Sequence, residues 1–164
     1  MKKIMSFILA LMLVMGLTGC SAKGNGDDSS KDVSTNVLVE KVKENIEMRN
    51  TAKVNDDLAE MQYYINPDDV EEFTIENGTM NTGLEFLAVV KAKEGKVEEV
   101  KESLEKVISD KKASAFYPGE AESIASSKVD TTGDYVMLFI IPDYDETGKD
   151  YSAEAVEIVK EALK

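Results

Sequence analysis

Two stretches decide the fold: Leu84-Glu85-Phe86-Leu87-Ala88-Val89-Val90-Lys91-Ala92 and Tyr135-Val136-Met137-Leu138-Phe139-Ile140-Ile141. Each has the length of a β-strand, and each is apolar at consecutive positions over its middle, so both faces of the strand carry apolar side chains. Strands of this kind are buried on both faces. We therefore expect two central strands that need cover on each side of their sheet, from helices or from a partner.

The residues around these strands predict antiparallel hairpins separated by one long helix. Val70 to Glu76 alternates apolar and polar residues, as an edge strand with one wet face does. Ser127 to Thr131 leads through the turn residues Thr132-Gly133 into the second central strand. Between the hairpins, Lys96 to Ser114 places apolar residues on one helical face and charged residues on the other. The prediction is an α+β domain with a mostly antiparallel, four-stranded sheet.

Further helices complete the predicted domain. Two lie at its N-terminus, one over about residues 35–49 and one that is capped by Asn55 and stops at Asn66-Pro67. The second helix has three apolar residues that should face the core: Leu58, Met61 and Ile65. A last helix begins near Ser152, whose side chain can cap it.

The composition removes several kinds of chemistry. The 164 residues include no histidine and one cysteine, which excludes Ser/His/Asp and Cys/His catalysis, histidine-ligated metals and an internal disulfide. The formal net charge is −13, and an acidic surface repels nucleic-acid phosphates and anionic lipid head groups. We expect no nucleic-acid partner. We also expect no cofactor other than calcium, for which the segment from Asp143 to Glu154 is a candidate site.

The first twenty residues have the features of a lipoprotein signal peptide. Lys2 and Lys3 form a basic head, and the apolar run from Ile4 to Leu17 is too short to span a bilayer. Leu17-Thr18-Gly19-Cys20 resembles the lipobox of bacterial lipoproteins. That resemblance implies cleavage before Cys20 and a diacylglyceryl thioether on its sulfur, which would hold the chain on the extracytoplasmic face of the cell membrane. An ordinary secretory signal with an incidental cysteine is the alternative.

Three parts follow from this interpretation. Residues 1–19 are the signal peptide, residues 20–33 are the lipidated cysteine and a flexible polar tether, and residues 34–164 form a single α+β domain. A tether of this length reaches roughly 20 Å, so the domain is expected to stand clear of the lipid surface.

Part of the predicted domain resembles a known family. The residues that carry the likeness are Glu85 to Val97, the pair Tyr117-Pro118, and Gly133 to Val136 before an apolar strand. They resemble the bacterial lipoproteins of the domain of unknown function 4358 family over roughly residues 60 to 142. The resemblance implies a fold and an envelope location, and it brings no catalytic or binding residue with it.

The segment before the last helix has the spacing of a calcium-binding EF-hand loop. Oxygen-bearing residues recur at alternate positions around Gly148. The candidate ligands are Asp143, Asp145, Thr147, Lys149 through its carbonyl, and Glu154. A strand in place of the incoming helix departs from that motif, and an acidic turn before a capped helix explains the same residues.

The leading functional hypothesis is a non-catalytic binding or adaptor module, anchored by lipid at the cell envelope. Its partner is expected to be an envelope protein, a peptide or a small ligand. One alternative is an envelope enzyme that uses Asp, Glu, Lys or Tyr in a cleft near Glu85 and Tyr117. The other is a solute- or peptide-binding lipoprotein stabilised by calcium.

Overall fold

The computed structural model describes residues 31–79 and 84–164. The predicted signal peptide, the lipobox Leu17-Thr18-Gly19 and the lipidation site Cys20 therefore lie outside the described residues. Within them the chain forms five helices: α1 (Thr35–Asn45), α2 (Asp56–Tyr63), α3 (Val97–Ser114), α4 (Pro118–Ser126) and α5 (Tyr151–Leu163). It also forms five strands: β1 (Thr51–Lys53), β2 (Val70–Gly78), β3 (Phe86–Ala92), β4 (Val129–Thr132) and β5 (Tyr135–Ile140).

The strands form one antiparallel sheet in the order β1-β2-β3-β5-β4. The predicted α+β class is confirmed, but the prediction of four strands is wrong because β1 is a fifth. α1 ends at Asn45 and not near Arg49, and the chain then runs extended so that β1 pairs with Glu76–Gly78 of β2. A three-residue strand is too short to show a period of two. It forms because the edge of β2 offers unpaired backbone groups.

Helices of the same chain cover both faces of β3 and β5, as the doubly apolar sequences require. On the first face, which we call the α3 face, helices α2, α3 and α4 cover Phe86, Ala88, Val90, Val136, Leu138 and Ile140. On the second, the α5 face, helices α1 and α5 cover Leu87, Val89, Tyr135, Met137, Phe139 and Ile141. The two N-terminal helices are thus divided between the two sides of the sheet.

Helix α2 presents a different face to the core from the one predicted. Asn55 caps it as expected, because its side chain accepts a hydrogen bond from the Leu58 N–H at 2.9 Å. Met61, however, is 77% exposed and Leu58 is also exposed, while Tyr63 is buried and its ring lies 5.1 Å from that of Phe86. The helix ends at Tyr63, and Tyr64 is left-handed with φ 59. Ile65 is buried as predicted, but it lies beyond this end, so the predicted apolar stripe did not describe one helical face.

Helix α5 also begins differently from the prediction. Its N-terminal cap is Asp150, whose carboxylate accepts a hydrogen bond from the Ala153 N–H at 2.9 Å. Ser152 is buried and instead accepts a hydrogen bond from the Ile141 N–H at 3.0 Å. The serine therefore closes the end of β5 against the first turn of α5.

The chain enters the domain at one end of the sheet. The Lys31 N–H donates to the Leu163 carbonyl at 2.8 Å, and the Val33 N–H donates to the Tyr135 hydroxyl at 2.9 Å. Asp32 forms an ion pair with Lys91 at 3.0 Å. Residues 31–33, which the sequence assigned to the tether, thus contact the domain. We call this end, where β3 ends and β5 begins, the tether end, and the opposite end the distal end.

Candidate functional site

A buried carboxylate lies at the distal end, directly before β3. Glu85 is fully buried, and its Oε1 accepts a hydrogen bond from the Arg49 N–H at 3.0 Å. Its Oε2 has no hydrogen-bond partner among the described residues. The Arg49 guanidinium lies over the Tyr144 ring, 3.8 Å from the ring centroid. We call Glu85, Arg49 and Tyr144 the distal cluster. It joins the segment before β1, the start of β3 and the loop after β5.

The distal cluster controls the ionisation of Tyr144. Burial, followed by the negative charge of the neighbouring Glu85, raises the pKa of Tyr144 to about 12. A tyrosine with such a pKa is protonated at neutral pH, so its hydroxyl is available as a donor and not as a base. Cavities of about 400 and 300 Å³ lie on either side of Tyr144.

The structure brings Glu85 together with Tyr144, and helix α4, which begins after Tyr117, lines a cavity shared with Leu84 and Tyr144. Tyr117 is 58% exposed at the start of α4, and its ring packs edge-on against Phe116 with centroids 5.3 Å apart. Neither Tyr144 nor Arg49 was predicted from the sequence. Arg49 is the only arginine in the sequence, and that rarity was the one signal that could have drawn attention to it.

The predicted calcium loop is held together by bonds within the protein. The Asp143 carboxylate accepts hydrogen bonds from the Thr147 hydroxyl at 3.1 Å and the Gly148 N–H at 2.7 Å. Glu154 is paired with the Lys149 ammonium at 2.8 Å. Across residues 31–79 and 84–164, no group of three or more Cys, Asp or Glu side chains is arranged to hold a metal ion. Calcium binding through these residues and Asp145 therefore stays a prediction without structural support.

A groove runs along the half of β2 that β1 leaves uncovered. The last backbone hydrogen bond on this side joins the Val54 N–H to the Ile75 carbonyl at 2.9 Å, after which the chain turns into α2. Beside Val70–Thr74, the described part of the chain places no further strand on this edge. The resulting cavity has a volume of about 600 Å³. We call it the edge groove.

The edge groove has two chemically different walls. The wall on the α3 face is apolar and is formed by Val54, Ile65, Pro67, Val70 and Phe73. The wall on the α5 face is polar and is formed by Asn36, Lys53, Glu71 and Glu72, and Asp56 lies at the start of α2. The open edge therefore lies between a surface suited to apolar side chains and one suited to polar or cationic side chains.

The acidic residues of the polar wall also connect parts of the structure. Glu72 accepts hydrogen bonds from the Ser34 hydroxyl at 2.6 Å and the Thr35 N–H at 3.2 Å. It therefore supplies the anionic cap that the start of α1 lacks from its own residues. Glu71 pairs with Lys91 at 2.9 Å. With Lys91 counted beside Lys53, the three acids at the groove, Asp56, Glu71 and Glu72, still exceed its two cations.

Tyr144→Phe is expected to make the alkaline loss of stability less steep. An unfolded tyrosine titrates near pH ~10, whereas burial and Glu85 raise the pKa of Tyr144 to about 12. A raised folded pKa contributes stability that is complete below the unfolded pKa and is lost as the pH rises through the folded pKa. Urea unfolding at several pH values should therefore show a smaller decline in the variant. Tyr117→Phe at an exposed ring is the control, and parallel curves for wild type and Tyr144→Phe would contradict the expectation.

The fold is an α+β domain in which helices cover both faces of an antiparallel sheet, with one strand edge partly open. A family model described as "Domain of unknown function (DUF4358)" matches residues 44–141. That span is well over half of the chain, so the chain belongs to this family. The match includes Arg49, Glu85 and the open edge of β2, and it ends before Tyr144. No curated protein and no solved structure matches the chain.

The helices can be compared with the length and hydrophobicity that a transmembrane helix needs. None of the helices formed by residues 31–79 and 84–164 is both long enough and apolar enough to cross a bilayer.

Proposed function

We propose that this protein is a lipid-anchored binding module on the extracytoplasmic face of the cell membrane, and that it holds a segment of another envelope protein in the edge groove. The observation that carries the proposal is the uncovered half of β2 beside a groove of about 600 Å³. Ligand sites in proteins commonly have volumes of roughly 300–1,000 Å³. An open strand edge provides such a site with a row of backbone donors and acceptors.

The proposed location on the membrane rests on the sequence. It is compatible with the way the chain enters the domain. Leu17-Thr18-Gly19-Cys20 has the form of a lipobox, and the residues that follow Cys20 lead to Lys31 at the tether end. The edge groove lies along the tether-end half of the β2 edge, and the distal cluster lies about one strand length, roughly 20 Å, from the tether end. An anchor joined to the domain at the tether end therefore leaves the distal cluster accessible and places the edge groove nearer to the anchor.

The contacts of three acidic residues support binding over catalysis. Glu72 caps α1, Glu76 pairs with Lys43, and Glu85 holds the Arg49 backbone. Each of these carboxylates joins two parts of the fold. Tyr144 is a weaker acid than an ordinary tyrosine, which suits a structural hydrogen bond better than proton transfer at neutral pH.

Cys20→Ser is expected to release the protein from membranes. In a host that processes lipoproteins, wild type should fractionate with membranes and carry a diacylglyceryl group by mass spectrometry, because two acyl chains give firm attachment. The variant should be found in the soluble or secreted fraction without that mass. Ser21→Ala, which keeps the thiol, is the control and should behave as wild type. If Cys20→Ser is retained on membranes as well as wild type, the proposed lipid-anchored location is wrong.

Position-specific photo-crosslinking in cells tests the groove as the binding site. A photoreactive amino acid at position 56 or 71 lies at the edge groove, whereas one at position 112 or 164 is exposed elsewhere. The proposal expects one envelope protein to be captured from both groove positions and from neither control position. The same capture pattern at all four positions would contradict a specific site in the groove.

A further inference from the structure

We propose that the occupant of the edge groove is an extended peptide segment with alternating apolar and basic residues, which adds to the sheet as a short strand beside β2. This inference rests on the proposed function and specifies the partner's chemistry and its mode of binding. It follows from three features of the groove: the direction of the β2 backbone groups, the difference between the two walls, and the charge.

The register of β2 determines which backbone groups face the groove. The Gly78 N–H donates towards β3, to the Glu85 carbonyl at 2.9 Å, whereas the Ile75 carbonyl accepts from Val54 on the opposite edge. Successive residues of a strand direct their backbone groups to opposite edges. Phe73, two residues from Ile75, therefore directs its N–H and C=O into the groove. An added strand can pair with both groups, as peptides do in strand addition.

The irregularity at the start of β2 limits the length of the added strand. The pairing of β2 with β3 shifts between Val70 and Glu72, so that Glu71 forms a bulge. A bulge disrupts the regular ladder and twists the edge. The segment should therefore pair over Phe73 and its immediate neighbours, in line with β1, and form only a few backbone hydrogen bonds.

The two walls require an alternating side-chain pattern. Side chains of a strand point in turn to opposite faces of the sheet. One set of the added strand's side chains would lie against Val54, Ile65 and Phe73 on the α3 face, and these should be apolar. The other set would lie against Asn36 and Glu72 on the α5 face, and these should be polar.

The charge of the groove selects basic residues for the polar positions. Asp56, Glu71 and Glu72 outnumber the two cations at the groove, which are Lys53 and the Lys91 that pairs with Glu71, and the whole chain carries a formal net charge of −13. A second copy of this edge would bring its own Glu71 and Glu72 close to the same acids, and like charges at neighbouring cross-strand positions oppose pairing. A basic segment of another protein is attracted by the acids of the groove, whereas a second copy of this chain is repelled by them.

The test uses synthetic peptides and the chain purified from membranes in a neutral detergent. The probe is a capped heptapeptide of alternating valine and lysine, titrated at 0.15 M salt so that unspecific charge attraction is screened. Binding should slow hydrogen exchange of the Phe73 amide. N-methylation of the amides on one edge of the peptide keeps its side chains and charge but removes donors, and it should weaken binding by about tenfold or more.

Two further arms test the charge. Replacing every lysine of the peptide by glutamate should weaken binding at least tenfold. Lys53→Glu in the protein should strengthen binding of the lysine peptide several-fold, whereas Lys112→Glu, an identical charge change at an exposed position of α3, should not.

Several outcomes would overturn the inference. Equal binding of the N-methylated peptide would exclude strand addition, and equal binding of the glutamate peptide would exclude a basic partner. If millimolar peptide does not slow hydrogen exchange of the Phe73 amide, both strand addition and a basic partner are excluded. In any of these cases a specific capture from positions 56 and 71 would leave the proposed function standing, so the two failures can be told apart.

Discussion

Replacing Phe139 by alanine is expected to lower the free energy of unfolding by about 3–5 kcal/mol, and replacing Leu138 by alanine by about 2–5 kcal/mol. The two residues are neighbours on β5 and are 1% and 0% exposed. Phe139 packs on the α5 face with α1 and α5, while Leu138 packs on the α3 face with α2, α3 and α4. Each truncation removes apolar contacts and leaves a cavity in a different half of the core.

Chemical denaturation followed by circular dichroism measures both losses. Val37→Ala on α1 is the control, because Val37 is 54% exposed and surface substitutions usually change stability by about 0.5 kcal/mol or less. Domains are stable by only about 5–15 kcal/mol, so a variant that fails to fold is replaced by the milder Ile140→Val, expected to cost about 0.5–1.5 kcal/mol. A large loss for one β5 face and almost none for the other would show that only one side of the sheet is a packed core.

Lys43→Met is expected to cost about 3 kcal/mol or more, because it leaves the buried carboxylate of Glu76 without its cation. Glu76 is 1% exposed, and its Oε2 lies 3.0 Å from the Lys43 ammonium. The Thr51 hydroxyl donates to the same oxygen. Burial alone would lower the pKa of Lys43, but the hydrogen bonds that its ammonium donates to Glu76 and Glu40 outweigh burial and raise that pKa.

A double variant separates the charge from the packing. Lys43→Met combined with Glu76→Gln removes both charges and should recover part of the loss, since the penalty of an unpaired buried charge disappears. Lys101→Met breaks an exposed pair with Glu98 at 3.5 Å and should cost about 1 kcal/mol or less. If Lys43→Met costs no more than Lys101→Met, the Glu76 pair is not a structural link.

The Lys43–Glu76 pair also has a consequence for the edge groove. It joins α1, through Lys43, to β2 and, through Thr51, to β1. β1 covers the distal half of the β2 edge and so limits the length of the open half. Weakening this link should loosen β1, and hydrogen exchange of the Val54 amide reports that change directly.

Local patterns predicted much of this fold. The doubly apolar sequences of β3 and β5, the long amphipathic α3 and the Asn55 cap of α2 all appear in the structure as expected. Each of these features depends on residues close together in the chain, where the periods of helix and strand and the chemistry of the cap act directly.

The candidate site was less predictable than the fold. Glu85 and Tyr117 were identified from the sequence, but the contact of Glu85 with Tyr144 was not. Tyr144 and Glu85 are separated by two helices and three strands, and no local pattern records that the start of β3 and the end of β5 meet at one end of the sheet. The edge groove has the same origin, since it exists only because β1 is shorter than β2.

The sequence by itself therefore determined the class of the domain, its two central strands, its acidic character and the lipobox that predicts an anchor. The tertiary structure alone decided the order of the strands, the division of the helices between two faces, the side of α2 that is buried and the place where β2 remains open. The physical reason is that propensity and periodicity act over a few neighbouring residues, whereas a sheet edge and its neighbours are settled by competition among distant segments for the same backbone groups and apolar surface.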